Sequence, residues 1–195
     1  MILYKIVYWL GMIIEVVVRA PFQKTAREGV KTERRVSPIE NILLGLMTVV
    51  MLILPLIYTL THWLDFANYR LPVWLGWTGV FILAASVLIF WRAHMDLQSN
   101  WSPSVEIRQD QTLVTEGIYR TIRHPFYASQ LLWVIAQILL MQNGLAGLLG
   151  LVFFIPFYFL RVRAEEKLML DAFGSRYREY MEKVGGIIPK ASRFR

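Results

Sequence analysis

The chain is 195 residues long, 56% apolar and 14% aromatic, with 21 Lys and Arg against 14 Asp and Glu and no Cys. A soluble domain is roughly half apolar, so this share, laid out in long blocks, points to a membrane protein; the missing Cys excludes disulfides, thiolate zinc sites and a cysteine nucleophile. The basic balance leaves nucleic acid or an anionic membrane surface as counterpart, and the placement of the charge decides between them.

Five apolar segments approach the roughly 20 residues that cross a bilayer. The first, residues 2–18, contains Lys5 and Glu15. Lys5 ahead of an apolar run imitates a signal peptide, but Glu15 interrupts the run and Arg19-Ala20-Pro21 is not a small-residue cleavage site, so the segment reads as a retained helix. In the second, residues 37–60, Ser37 can cap, Pro38 suits the first turn and Glu40 completes a capping box. The third, residues 72–91, carries Trp74, Trp77 and Trp91 near its ends, where amphipathic rings favour the interface. The fourth, residues 125–141, and the fifth, residues 145–160, are joined only by Gln142-Asn143-Gly144, which makes them an antiparallel hairpin.

Beyond the fifth span, residues 162–173 still read as helix, so it projects from the membrane as far as Gly174, a natural stop. A short helix with Tyr177 and Tyr180 covers residues 175–183, and Gly185-Gly186 and Pro189 end the pattern. The predicted fold is all-α: an integral membrane bundle of five transmembrane helices with a C-terminal helical region outside the bilayer. Residues 1–99 hold the first three spans and residues 100–195 form a second half.

The basic residues fall almost wholly in three segments: six in residues 19–35, four in residues 92–123 and nine in residues 161–195. Alternation of five spans puts these segments on one side, which the positive-inside rule makes the cytoplasm, with the N-terminus opposite. Membrane orientation thus accounts for the net charge, and no interleaving of aromatic and basic residues suggests nucleic acid.

The polar stretch from Asn100 to His124 is long for a loop in so small a protein, and such loops are functional or disordered. His124 precedes Pro125, which suits the cap and first residue of the fourth helix, and the amides that follow favour a carboxylate or phosphate. Arg123 and His124 could equally be headgroup anchors. Arg161 and Glu165 share a helix face four residues apart, beside Arg163 and Glu166; the order with Arg first is the weaker one for helix stabilisation, although a snorkelling Arg and a solvated Glu remain open. Because the hairpin makes the fourth and fifth helices neighbours, His124 and Arg161 meet at one membrane face.

These residues carry a resemblance. The stretch from Leu113 to Tyr119, then Arg123-His124-Pro125-Phe126-Tyr127, Arg161 with Glu165-Glu166, Phe173-Gly174, Tyr177, Tyr180 and Ile188-Pro189 is similar to the isoprenylcysteine carboxyl methyltransferase family, a group with phospholipid N-methyltransferase relatives. The likeness covers roughly Asn100 to Pro189; the first three helices match only as hydrophobic spans. It implies S-adenosylmethionine as cofactor, yielding S-adenosylhomocysteine, bound by the second half, which then becomes the catalytic one. No Rossmann fingerprint is present, in keeping with that. Position by position, the resemblance places Gln111, Thr112, Leu113, Val114, Tyr119, His124, Pro125, Phe126, Tyr127 and Glu165 around the cofactor and Arg161 at the substrate, with Arg161 and Glu165 as the catalytic pair. Gln111 and Phe126 depart from the His and Ser common in eukaryotic relatives.

The implied acceptor is lipid-soluble: the α-carboxylate of a prenylated cysteine, for which Arg161 is the anion partner, with a phospholipid amine or a thiol as alternatives. Membrane lipids are the expected surroundings, and neither metal nor nucleic acid is expected. A small helical transporter or scaffold is the competing class, but a transporter should show polar or broken spans near the midplane in paired halves, whereas here polar residues gather at one face.

Overall fold

A proline in the second apolar segment shapes the centre of the bundle. Pro55 has no amide to donate backward, and the turn before it, Val49–Ile53, is π-helical, between α2 (Pro38–Thr48) and α3 (Leu54–Leu60). The carbonyls thereby released are taken by other helices: the Tyr8 hydroxyl donates to Met51 O at 2.5 Å and the Gln137 amide to Val50 O at 2.8 Å. Orphaned backbone groups inside a bilayer must be satisfied internally, and this knot does so while tying three helices together.

The computed structural model describes residues 2–28, 38–102 and 112–190. Its remaining helices are α1 (Ile2–Glu28), α4 (Val73–Leu97), α5 (Pro125–Met141), α6 (Leu149–Phe173) and α7 (Ser175–Lys183). No strand is present among the described residues; two isolated bridges pair Asn68 with Asn143 and Ile122 with Gly185. Three stretches, Asn41–Leu60, Val73–Asn100 and Gly144–Phe173, are long and apolar enough to cross a membrane, and α5 is a shorter apolar helix. Large side chains such as Leu10, Phe81, Leu88, Val152 and Phe159 are more than half exposed, as a lipid-facing surface requires.

Several elements run further than the sequence predicted. Helix α1 continues past Val18 to Glu28, and α4 passes Trp91 to end at Leu97. The fifth apolar segment does continue as one helix, α6, to Phe173 with Gly174 as its cap, and it is entered through a π-helical turn at Gly144–Leu148. The segment α7 has the predicted bounds. Ser37 lies outside the described residues, as does the Glu40 side chain, so the expected capping box is not described.

The hairpin between α5 and α6 is fixed by Asn143. Its side-chain oxygen accepts from the amides of Leu145 and Ala146 at 3.0 and 2.9 Å, and its amide donates to Leu64 O at 2.7 Å. Gln137 adds a bond to Ala146 O at 2.7 Å. Helices α4 and α5 approach closely because the residues between them are small: Ser86 and Ser129 hydroxyls each donate to the other's carbonyl at 2.8 and 3.0 Å, and a Cβ on Gly79 would lie 2.8 Å from Leu139 Cβ. The main core of Tyr8, Tyr58, Leu83, Trp133 and Leu140 seals one end of the bundle. There Lys5 is accommodated by donating to Tyr58 O at 3.0 Å while lying 3.6 Å from that ring's centre.

Candidate functional site

The opposite end of the bundle, where Arg19, Arg123 and Arg161 gather, holds a cavity of about 240 Å³. Its wall is built by folding the C-terminal segment back onto the approach to α5. The amides of Arg123 and His124 donate to Gly185 O and Gly186 O at 2.8 and 3.1 Å. The Arg123 guanidinium donates to Met181 O at 3.2 Å and to Val184 O. Tyr180 donates its hydroxyl to Tyr119 O at 2.5 Å, and Tyr177, Tyr180 and Val184 pack with Leu113, Met169 and Phe173. The chain passes so tightly here that a Cβ on Gly185 would lie 1.9 Å from Ile188 O.

A second brace positions the loop. Gly117 adopts φ +60°, and any Cβ there would fall 2.2 Å from Asp96 Oδ2. That carboxylate accepts from Ile118 N at 2.7 Å and from Arg92 Nε at 2.9 Å, joining the end of α4 to the Gly117–Arg120 turn. Tyr119 is thereby buried against α4, its hydroxyl 3.5 Å from Ala93 O.

At the centre is a two-carboxylate, three-cation cluster. Glu166 Oε1 accepts from Arg123 Nη2 at 2.8 Å and from His124 Nε2 at 2.9 Å. Glu165 Oε1 stands 3.8 Å from His124 Nδ1, a nitrogen enclosed without a hydrogen-bond partner. The Tyr127 hydroxyl donates to Glu165 Oε2 at 3.0 Å and accepts from Arg161 Nε at 3.0 Å, so it relays between the two residues on α6. Burial works against the charged form of His124, but hydrogen bonds and attraction from Glu165 and Glu166 outweigh it and raise its pKa to about 9, so the ring is an imidazolium at neutral pH.

Thr112, Leu113, Val114, Tyr119, His124, Pro125, Phe126, Tyr127, Arg161 and Glu165, ten of the predicted site residues, all line this one cavity. Gln111 lies outside the described residues. Arg161 and Glu165, which share a face of α6, are linked through the Tyr127 hydroxyl. The start of α5 has fewer available amides than a generic helix N-terminus: Pro125 has none, and Ala128 N already donates to His124 O at 3.1 Å, which leaves those of Phe126 and Tyr127 nearest the cavity. Sequence reasoning missed Glu166 as the cap on Arg123 and His124, although it stood next to Glu165. It also missed Arg19, His94 and Trp101, lining residues contributed by α1, α4 and the segment after it. The interruption of an apolar run by Arg19 was the available signal for the first of these.

Chemically, the cavity offers a buried imidazolium with an unsatisfied N–H, two nearby amides, a carboxylate acceptor and aromatic walls. Such a set holds a zwitterionic ligand carrying both a carboxylate and a cation. Among the described residues no group of three or more potential ligands for a metal ion exists.

Fold and site together define a multi-pass helical membrane protein with a polar cavity at the basic end of its bundle. Residues 77–171 match the model of the isoprenylcysteine carboxyl methyltransferase family, which places the chain's resemblance to that family over most of α4, the loop, α5 and most of α6. The chain is 38% identical over 80 residues to a protein-S-isoprenylcysteine O-methyltransferase of Saccharomyces cerevisiae and 35% identical over 81 residues to that of Schizosaccharomyces pombe. Those matches cover 41% and 42% of this chain but only 34% of each relative, so the chain spans about a third of their length. Protein-S-isoprenylcysteine O-methyltransferase A of Arabidopsis thaliana is 26% identical over 140 residues, 71% of both chains. The structure is similar to that of a eukaryotic intramembrane Ras methyltransferase, isoprenylcysteine carboxyl methyltransferase, with TM-score 0.58 and 26% identity, covering 90% of this chain and 61% of the other.

Proposed function

We propose that this protein is an S-adenosylmethionine-dependent methyltransferase that esterifies the α-carboxylate of a prenylated cysteine. The observation that carries the reading is the convergence in one cavity of all ten described residues that the family resemblance assigns to cofactor and substrate. The donor set also suits the cofactor, whose methionine part carries a carboxylate and an ammonium: His124 Nδ1 is an enclosed N–H without a partner, and Glu165 is a carboxylate beside it.

S-adenosylmethionine supplies an electrophilic methyl on a sulfonium, so that the acceptor oxygen gains the methyl as the carbon–sulfur bond breaks and S-adenosylhomocysteine leaves. An ionised carboxylate needs no general base, and the chain's residues serve alignment and exclusion of water. His124 Nδ1 and the amides of Phe126 and Tyr127 hold the cofactor's carboxylate, and Glu165 accepts from its amine or a hydroxyl. Thr112, Leu113, Val114, Tyr119, Pro125, Phe126 and Tyr127 enclose the remainder. Arg161, steadied by the Tyr127 hydroxyl, holds the acceptor carboxylate; a phospholipid amine would have no use for a cation there.

The reading places five helical crossings in the membrane, α1 and the short α5 included, with the basic end cytoplasmic, where a water-soluble cofactor is available. Residues 100–195 supply most of the chemistry, and residues 1–99 mainly scaffold it. The lipidic acceptor reaches the cavity sideways: Leu44 on α2 lines it and is itself 37% exposed on the bundle's surface.

Calorimetry with S-adenosylhomocysteine on purified protein in detergent tests the assignment. Wild type binds, and Glu165→Ala and His124→Ala each bind at least about tenfold more weakly, as loss of a charge-assisted hydrogen bond requires. No binding by wild type, or equal binding by both variants, sinks the site as drawn.

A further inference from the structure

Among the described residues that line the cavity, positive charge predominates: Arg19, Arg123, Arg161 and the His124 imidazolium face it against Glu165, with Glu166 behind Arg123 and His124. Arg123 and His124 are held by Glu166, and Tyr127 links Arg161 to Glu165. Arg19 comes from α1, outside the residues that match the family model. Its Nε is enclosed without a hydrogen-bond partner, and its guanidinium lies over the Trp101 ring, 5.2 Å from the centroid. The nearest opposing charge on its own helix is Glu15, one turn back, which is not among the cavity's lining residues, and Arg161 is within electrostatic reach across the cavity. Two guanidinium groups that line one low-dielectric cavity favour an anion held between them.

Resting on the proposed methyl transfer, we infer that Arg19 is a specificity-determining residue that, with Arg161, receives the acceptor's carboxylate between two guanidinium groups. The proposed cofactor cannot meet this need, because its sulfonium and ammonium outweigh its single carboxylate and add positive charge to the cavity. An anionic acceptor restores balance, whereas an amine acceptor would enter against both arginines. The Trp101 ring steadies the guanidinium of Arg19 where both line the cavity, so the fork is presented to it at little entropic cost. The aromatic and aliphatic lining beside it, Phe157 and Leu44, is suited to the thioether and prenyl chain that accompany such a carboxylate.

The test compares wild type, Arg19→Met and Arg19→Lys in detergent, with N-acetyl-S-farnesylcysteine as methyl acceptor, its carboxamide analogue as a charge-free competitor, and S-adenosylhomocysteine in calorimetry. In Arg19→Met, KM for the carboxylate rises about tenfold, as expected for loss of one charge-assisted contact, while kcat, carboxamide inhibition and S-adenosylhomocysteine affinity stay within about threefold. Arg19→Lys recovers most of the KM. The inference is overturned if Arg19→Met leaves KM unchanged, or if S-adenosylhomocysteine affinity falls in step with it, which would put Arg19 on the cofactor or in the fold. Wild type that binds S-adenosylhomocysteine but treats carboxylate and carboxamide alike overturns the inference and leaves the methyltransferase reading standing. Wild type that does not bind S-adenosylhomocysteine overturns both.

Discussion

Replacing Glu166 by Ala removes the single acceptor shared by Arg123 Nη2 at 2.8 Å and His124 Nε2 at 2.9 Å. The side chains left behind are 11% and 2% exposed, so both cations lose their shared carboxylate with little water to replace it, although Arg123 keeps the carbonyls of Met181 and Val184. Charge-assisted bonds contribute about 1.5–3 kcal/mol each and breaking a buried pair costs about 3–5 kcal/mol. Glu166 is itself 21% exposed, which admits some solvent relief and sets the expected loss at roughly 2–4 kcal/mol. Part of this is relieved because the His124 imidazolium, held at about 9, can lose its proton once Glu166 is gone. For a chain of this size that corresponds to a fall in Tm of roughly 5–12 °C, read by thermal denaturation in detergent, with Glu166→Gln, which keeps an acceptor oxygen, falling by less. Glu165→Ala, which disturbs the relay and not the cap, should weaken S-adenosylhomocysteine binding with a smaller change in Tm. A Glu166→Ala protein with wild-type Tm would refute the claim that this carboxylate ties Arg123 and His124 to α6.

His124 has a folded pKa of about 9 against an ordinary 6.5, so its contribution to stability is fully present below pH 6.5 and is lost as pH rises through 9. Tm measured from pH 6 to 10 should therefore decline between about 6.5 and 9 and level off above that, and in Glu166→Gln the decline should end at lower pH; a flat profile contradicts the imidazolium. Gly117→Ala must place a Cβ where Asp96 now sits and adopt φ +60°, which predicts a loss of about 1–3 kcal/mol and weaker S-adenosylhomocysteine binding. Denaturation and calorimetry read both effects. Gln137→Leu orphans the carbonyls of Val50 and Ala146, and its expected cost of roughly 2–4 kcal/mol should appear as lower Tm without a change in acceptor KM.

Three of the hydrophobic spans and the hairpin were legible because bilayer thickness demands long apolar runs and a three-residue turn keeps the helices it joins adjacent. Element ends were less so: α1 and α4 continue past Val18 and Trp91, and Arg19 and His94 on those extensions line the cavity, where polarity does not mark a helix end. The π-helical turn at Val49–Ile53 had a cause in view, Pro55, but its stability comes from Tyr8 and Gln137, which are remote in sequence. In the site, the local series His124-Pro125-Phe126-Tyr127 and the pair Arg161 and Glu165 could be found by spacing and resemblance. The division of labour between Glu165 and Glu166 could not, because it depends on which carboxylate the folded-back Gly185-Gly186 segment brings under Arg123.

The most direct test of the central claim is a methyl-transfer assay with S-adenosylmethionine labelled in its methyl group, offered N-acetyl-S-farnesylcysteine, phosphatidylethanolamine and an alkyl thiol in turn. Base-labile label on the farnesylcysteine carboxyl, lost in Arg161→Met, is the predicted result. Label on the phospholipid amine or the thiol, or on none of the three, would contradict it.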